Sequence, residues 1–135
     1  MRRLELDTCV IDKSVSVTLL GDVDAHNAGE LKSRLAQAVA GGTPVLFLDL
    51  AGVRRMDSAG VAVLVELRRS LGEQGRTLAL LRIPPSVRRI LELLGTVDVI
   101  FDVYTDLDEG LRRTQQLRGV LPRLHDPTQK LKPGP

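Results

Sequence analysis

Residues 45–71 read VLFLDLAGVRRMDSAGVAVLVELRRSL, and this stretch decides how the rest of the chain is organised. Residues 45–50 are apolar except for Asp49, which is typical of a strand covered on both faces at the centre of an α/β sheet. Residues 57–60 then predict the start of a helix, because Asp and Ser are favoured there. Ser58 would hold its hydroxyl at the first turn, where free backbone N–H groups and the helix dipole favour a phosphate. The ordinary alternative is that the Asp or the Ser simply caps the helix.

The apolar pattern outside this stretch predicts alternating strands and helices. Alternation over residues 4–10 and 15–19 is typical of a hairpin with one face on the core. Asn27 and Glu30 form a capping-box pattern that starts a helix, and Asp24 is an alternative start for the same helix. The order ββαβαβαβα follows, which indicates a single α/β domain with a mixed sheet and helices packed on it. Its later elements are predicted near residues 77–81, 84–94, 99–103 and 105–117.

Composition divides the 135 residues into a domain, residues 1–117, and a flexible, basic, Pro-rich tail, residues 118–135. The tail holds four of the seven prolines and has four cations against one Asp, so the rest of the chain is close to neutral. A basic DNA-reading face is therefore not indicated. With two Phe, one Tyr and no Trp, the chain can hardly build an aromatic platform for stacking bases. We predict no direct contact with nucleic acid.

The single cysteine, Cys9, excludes an intrachain disulfide and any site with several cysteine ligands. It lies in an apolar strand, which predicts an inert core residue. The N-terminal residues MRRLELD lack the apolar segment of a signal peptide, and no run approaches the length that spans a bilayer. We therefore predict a soluble cytoplasmic protein that has no contact with membranes.

Catalysis by Ser58 is not indicated. A nucleophile elbow requires Gly at the position of Met56, and the only candidate bases are His26 and His125, neither with an evident partner. The phosphate-binding loop, the dinucleotide fingerprint and zinc-ligand spacing are all absent from the sequence. Asp49 lies near a strand end, as in a phosphorylated receiver domain, but the acidic pair and the Lys that such a site needs are missing. We predict no enzyme, no cofactor and no metal.

The remaining pattern resembles the STAS family, and within it the bacterial anti-sigma factor antagonists. The resemblance covers about residues 4–117, and the order and spacing of its motifs make it specific. The matching segments are GDVD at 21–24, the strand at 45–50, MDSAG at 56–60, PPSVRRILE at 84–92 with Gly95, and IF at 100–101.

This resemblance implies a partner-switching protein in which Ser58 is the phosphoacceptor. The unphosphorylated form would bind an anti-sigma factor that is also a serine kinase and would free its sigma factor, and a phosphatase would reset the switch. The resemblance assigns Asp24, Asp57, Ala59 and Gly60 to the partner-binding site beside Ser58. Many family members have Ser or Thr at the position of Ala59, so Ser58 would be the one acceptor in this motif. The alternative is a STAS module that is a non-switching subunit of a larger assembly, such as a lipid-transport ATPase complex or a stress-sensing particle.

Overall fold

The computed structural model describes residues 3–95 and 101–114. The predicted order of strands and helices and the α/β class are confirmed. The last helix, α4, is described over residues 107–114. The other elements, in chain order, are β1 (Glu5–Ile11), β2 (Ser14–Val23), α1 (Ala28–Ala38), β3 (Val45–Met56), α2 (Ser58–Glu73), β4 (Thr77–Leu81), α3 (Pro85–Leu93) and β5 (Asp102–Tyr104).

The five strands form one mixed sheet in the order β1-β2-β3-β4-β5. Only β1 is antiparallel to its neighbour, because the hairpin β1–β2 has a short turn and each later pair is joined through a helix. The continuous apolar run places β3 at the centre, as predicted. β3 extends past the run to Met56, since Val53 and Met56 are also buried and still pair with Gly21 and Val23 of β2, after one and two register shifts respectively.

The two faces of the sheet carry two separate apolar clusters, because successive side chains of a strand point to opposite faces. Leu46, Leu48 and Leu50 face the larger cluster, into which α1, α2 and α3 pack. Phe47 faces the smaller cluster, which the half-buried Leu107 and Leu111 of α4 cover. The close packing of α4 depends on Gly110, where a Cβ would lie 2.7 Å from Phe47 Cε1.

The prediction that Cys9 is a core residue is wrong. Cys9 is exposed, and the neighbouring Val10 is 72% exposed. The physical reason is the position of β1, which is an edge strand of the sheet. Only Leu4 and Leu6, at the start of the hairpin, reach the core. One face of the hairpin lies on the core, as predicted, at β2 and at the beginning of β1; β2 is also buried at Ser16 and Asp22 on its other face.

Some predictions lie partly or wholly outside the described residues. The tail, residues 118–135, is one of them, and so is the first part of the strand predicted at 99–103. The described part of that strand is β5, which begins at Asp102. No helix in the described ranges is long and apolar enough to cross a membrane.

Tyr104 offers a direct test of the packing around β5. Burial, together with the charge of Asp102, raises the pKa of Tyr104 above its ordinary value of 10.0. Because the folded pKa is above the unfolded one, the stability due to the neutral phenol is present below pH 10 and is lost as pH rises through the folded value. Tyr104 is the only tyrosine and there is no Trp, so tyrosinate absorbance reports on this residue alone.

We expect the tyrosinate midpoint of the folded protein to lie above pH 10 and to return to about 10 in concentrated urea. Asp102→Asn should lower the folded midpoint, because it removes the nearby negative charge. Identical midpoints in buffer and in urea would contradict the packing described here.

Candidate functional site

Asp57 is the N-cap of α2. Its Oδ1 accepts hydrogen bonds from the backbone N–H of Ala59 at 2.9 Å and of Gly60 at 3.2 Å, and its backbone is extended. These are two of the donors that a helix start otherwise leaves unsatisfied, and the carboxylate also complements the helix dipole. Of the two sequence alternatives, the cap at Ser58 is therefore wrong and the cap at Asp57 is confirmed.

Ser58 is the first helical residue of α2 and is exposed. Within residues 3–95 and 101–114, no side chain or backbone group is hydrogen-bonded to its hydroxyl. The neighbouring Asp57 already satisfies the first N–H groups of the helix. A chemical change at the Ser58 hydroxyl therefore leaves the cap of α2 in place.

The end of β2 and the start of α2 are joined by the sheet. Val23 is paired with Met56 in parallel register, and the backbone N–H of Asp57 donates to the carbonyl oxygen of Val23 at 3.1 Å. The loop that follows β2 therefore leaves the sheet beside the N-terminus of α2. This pairing brings Asp24 close to Asp57, the residue before Ser58.

The loop after β2 is held by its own side chains. Asp24 Oδ1 accepts from the backbone N–H of His26 at 2.8 Å and of Asn27 at 3.3 Å. Asn27 precedes α1, as predicted, but its side chain makes no cap bond to that helix. It is turned back, donating through Nδ2 to the carbonyl of Asp22 at 2.8 Å and accepting from the N–H of Asp24 at 3.0 Å. The predicted capping box is therefore wrong, because the loop uses the Asn27 amide.

Gly60 sets how closely α2 approaches the sheet. It is buried, and a Cβ at this position would lie 2.7 Å from Val23 Cγ1 and 2.8 Å from Met56 Cγ. Such distances are far inside ordinary van der Waals contact. Gly60 thus belongs to the packing beneath the site and does not form its exposed surface, whereas Asp57 and Ser58 do.

Two concave surfaces meet the start of α2. One is a pocket of about 500 Å³ where β2 and β3 end. The other is a shallow groove of about 600 Å³ that begins at Ser58 and has an apolar floor. The pocket is lined by Asp22, Val23, Asp24, Arg55, Met56 and Asp57. The groove is lined by Ser58, Val61, Ala62, Val65, Glu66, Arg69 and Leu94.

Comparison with known proteins identifies the domain. The family model described as STAS domain matches residues 5–110, which is most of the chain. The chain belongs to the STAS domain family.

Several relatives of this STAS domain are named as anti-sigma factor antagonists. The chain is 27% identical over 97 residues to an anti-sigma-B factor antagonist of Staphylococcus aureus, covering 72% of this chain and 90% of that protein. The crystal structure of an anti-sigma factor antagonist from Mycobacterium paratuberculosis matches with a TM-score of 0.75 and 26% identity, over 84% of this chain and 95% of the other. The structure of the phosphorylated form of the Bacillus cell fate determinant SpoIIAA matches with a TM-score of 0.61 and 21% identity, covering 83% of this chain and 99% of the other.

The shortest ion pair among the described residues of this STAS domain was not predicted from the sequence. Asp49 is buried in β3, and its Oδ2 accepts from Arg82 Nη2 at 2.6 Å and from Arg82 Nε at 3.0 Å. Its Oδ1 accepts from the N–H of Ala51 at 3.0 Å. Arg82 follows β4 with a φ of 51°, and the contact with Asp49 raises the pKa of its guanidinium above the ordinary value. The parallel register that sets Leu81 opposite Asp49 is the signal that could have found the pair.

The Asp49 carboxylate is therefore committed to holding β3 and β4 together, which argues against the receiver-type alternative. Among the described residues, no group of three or more His, Cys, Asp and Glu side chains could hold a metal ion. His26, one of the two histidines considered as a base for Ser58, is exposed, and its Nδ1 lies 3.7 Å from Asp24 Oδ1.

Proposed function

We propose that this STAS domain is an anti-sigma factor antagonist controlled by phosphorylation of Ser58. The unphosphorylated form binds an anti-sigma factor that is also a serine kinase, and the bound kinase releases its sigma factor. Phosphorylation of Ser58 by the kinase ends the binding, and a phosphatase restores it. The observation that carries this proposal is the exposed Ser58 hydroxyl at the start of α2, with the helix cap supplied by Asp57.

The position of Ser58 suits a reversible modification. A phosphate adds about 1.5 to 2 negative charges at neutral pH, and the N-terminus of a helix stabilises negative charge. Because Ser58 is not the cap, the added group displaces no hydrogen bond of α2 among the described residues. The modification should therefore change the surface that a partner meets and leave the fold intact.

The surroundings of Ser58 suit a protein partner. Asp24 and Asp57 line the pocket next to the start of α2, and the groove that begins at Ser58 offers Val65 and Leu94 to an apolar side chain. An interface commonly combines an apolar centre with a polar rim. We assign the partner-binding surface to Asp24, Asp57, Ser58 and Ala59 together with this groove, while Gly60 supports it from below.

The relatives support this assignment. The Staphylococcus aureus and Mycobacterium paratuberculosis proteins carry the name of the proposed activity, and they align with most of this chain. SpoIIAA shares the fold and has a phosphorylated form.

The proposal is tested by mixing the full chain with candidate anti-sigma serine kinases and MgATP and measuring its intact mass. We expect the mass of one phosphate to be added, mapped by fragmentation to Ser58 and lost in Ser58→Ala. Ser70 lies in the same helix, so Ser70→Ala is the matched control and should leave phosphorylation unchanged. A kinase that binds the chain but adds phosphate equally to Ser58→Ala would overturn the assignment. Binding without any phosphorylation would favour the non-switching subunit.

A further inference from the structure

The part of the sheet formed by β1 and β2 has one face that no helix covers among the described residues. α4 covers the face that carries Phe47, and the apolar cluster beneath it contains no residue of β1 or β2. Leu20 of β2 points to this same side, because its neighbour Leu19 points into the larger cluster on the other side. It lies against Gly52 of β3 and is still 39% exposed. An apolar side chain is therefore left uncovered beside α4.

The strand next to Leu20 is acidic on this face. Glu5 of β1 is paired directly with Leu20, and Asp7 is paired with Thr18, so that both carboxylates lie on the uncovered side. Both are exposed, and within residues 3–95 and 101–114 neither forms an ion pair. The face thus combines an exposed Leu with two carboxylates that have no cationic partner. It favours an occupant in which cations stand beside apolar side chains.

One segment of this chain outside the described residues has that composition. Residues 118–124 read RGVLPRL, with two cations, no acidic residue and three aliphatic side chains. α4 lies on the same side of the sheet, and its last described residue is Thr114. From Thr114 to Arg118 an extended chain spans up to about 13 Å. β1 lies two strands from β3, which is about 10 Å, so the segment can reach the acidic face.

We propose that residues 118–124 dock on this face of β1 and β2. The two arginines lie beside Glu5 and Asp7, and the apolar side chains cover Leu20. The contact is weak and salt-dependent, because exposed ion pairs contribute little and a tail that the sequence predicts to be flexible loses entropy when it is ordered. Its high effective concentration within one chain offsets part of that cost. Because α2 packs on the opposite face, docking leaves Ser58 accessible and does not depend on the proposed function.

The first test places a nitroxide on Cys9, which is the single cysteine and is exposed on the same face as Asp7. In the full isotope-labelled chain, the amides of residues 118–124 should lose most of their signal and those of residues 129–132 much less. The loss should shrink at about 1 M NaCl, where the Debye length is about 3 Å. Equal loss along the tail, or none, would overturn the proposal. So would loss that arises only between labelled and unlabelled chains, because the occupant would then be a second copy.

The second test removes the charge complementarity. Arg118→Glu with Arg123→Glu should abolish the signal loss and shift the amide resonance of Leu20, because the segment leaves the face. Lys130→Glu with Lys132→Glu is the matched control, since it makes the same charge change in the same tail outside the docking segment. It should leave the signal loss and the resonance unchanged. A Leu20 resonance that neither variant moves would show that the face is open in the full chain and would refute the proposal.

Exchanging the charges separates specific pairing from general repulsion. Adding Glu5→Lys and Asp7→Lys to the variant with Glu at 118 and 123 should restore the signal loss, because the attractive pairs return with their signs reversed. An exchanged chain in which the segment stays undocked would refute its assignment to this face. Both β1 substitutions are at exposed positions, and a circular dichroism spectrum like that of the wild type checks that each variant is folded.

Discussion

Ser58→Asp is expected to weaken binding of the anti-sigma kinase at least tenfold while leaving the circular dichroism spectrum nearly unchanged. The fold is preserved because Asp57 caps α2 and because a carboxylate is favourable in the first turn of a helix. The affinity falls because the new charge stands beside Asp57 on the surface that the partner covers. A charge that loses its water at an interface without a cationic partner costs several kcal/mol.

The size of this effect decides whether Ser58 can act as a switch. A loss of about 1.4 kcal/mol is tenfold in affinity, and about 4 kcal/mol is a thousandfold. The phosphate carries more charge than Asp, so the phosphorylated protein should bind more weakly than Ser58→Asp. Isothermal titration of the kinase with each form measures both losses on one scale.

Two further variants test whether the loss of affinity requires a negative charge and whether that charge must lie at residue 58. Ser58→Ala should bind at least as well as the unmodified protein, since it removes a hydroxyl and adds no charge. Ser33→Asp places the same charge on the exposed side of α1 and should leave the affinity unchanged. Equal affinities for the wild type and Ser58→Asp would refute control at this residue, whatever the other variants do.

Gly60→Ala is expected to destabilise the domain by about 1–3 kcal/mol, the usual cost of an overpacked core. The added methyl would lie 2.7 Å from Val23 Cγ1 and 2.8 Å from Met56 Cγ. Met56 is flexible and can move, but Val23 is β-branched, fully buried and held in β2. The strain therefore has to be relieved by shifting the first turn of α2 away from the sheet.

Gly72→Ala is the matched control in the same helix. No atom lies within 4 Å of the Cβ that it would add, so the substitution carries only the helix preference of Ala over Gly. It should stabilise the domain by up to about 1 kcal/mol. Urea unfolding of both variants gives the two free energies, which we expect to have opposite signs. Destabilisation of equal size at both positions would show that close packing is not the role of Gly60.

The elements that sequence reasoning found are those specified by signals close together in the chain. The continuous apolar run at residues 45–50 indicated a strand covered on both faces, and β3 is central. The Asp and Ser that follow indicated the start of α2 to within one residue. Proline before α3 and the glycines after the helices marked further boundaries, because these residues restrict or free the backbone locally.

What reasoning from the sequence could not decide depends on neighbours that are distant in the chain. Cys9 was taken for a core residue because alternation predicts a strand and does not say whether that strand lies at the edge. Asp49 and Arg82 are separated by 33 positions, and only the parallel register of β3 and β4 brings them together. The Asn27 side chain is turned towards the loop after β2, which a capping pattern alone does not reveal.

The sequence by itself determined the order of elements, the central strand, the helix that begins after Met56 and the serine at its start, because periodicity and capping act over a few residues. Tertiary structure decided that Asp57 is the cap, that Gly60 is pressed against Val23, and that the loop bearing Asp24 lies beside Asp57. The physical reason is the parallel pairing of β2 and β3, which joins segments more than thirty residues apart into one surface.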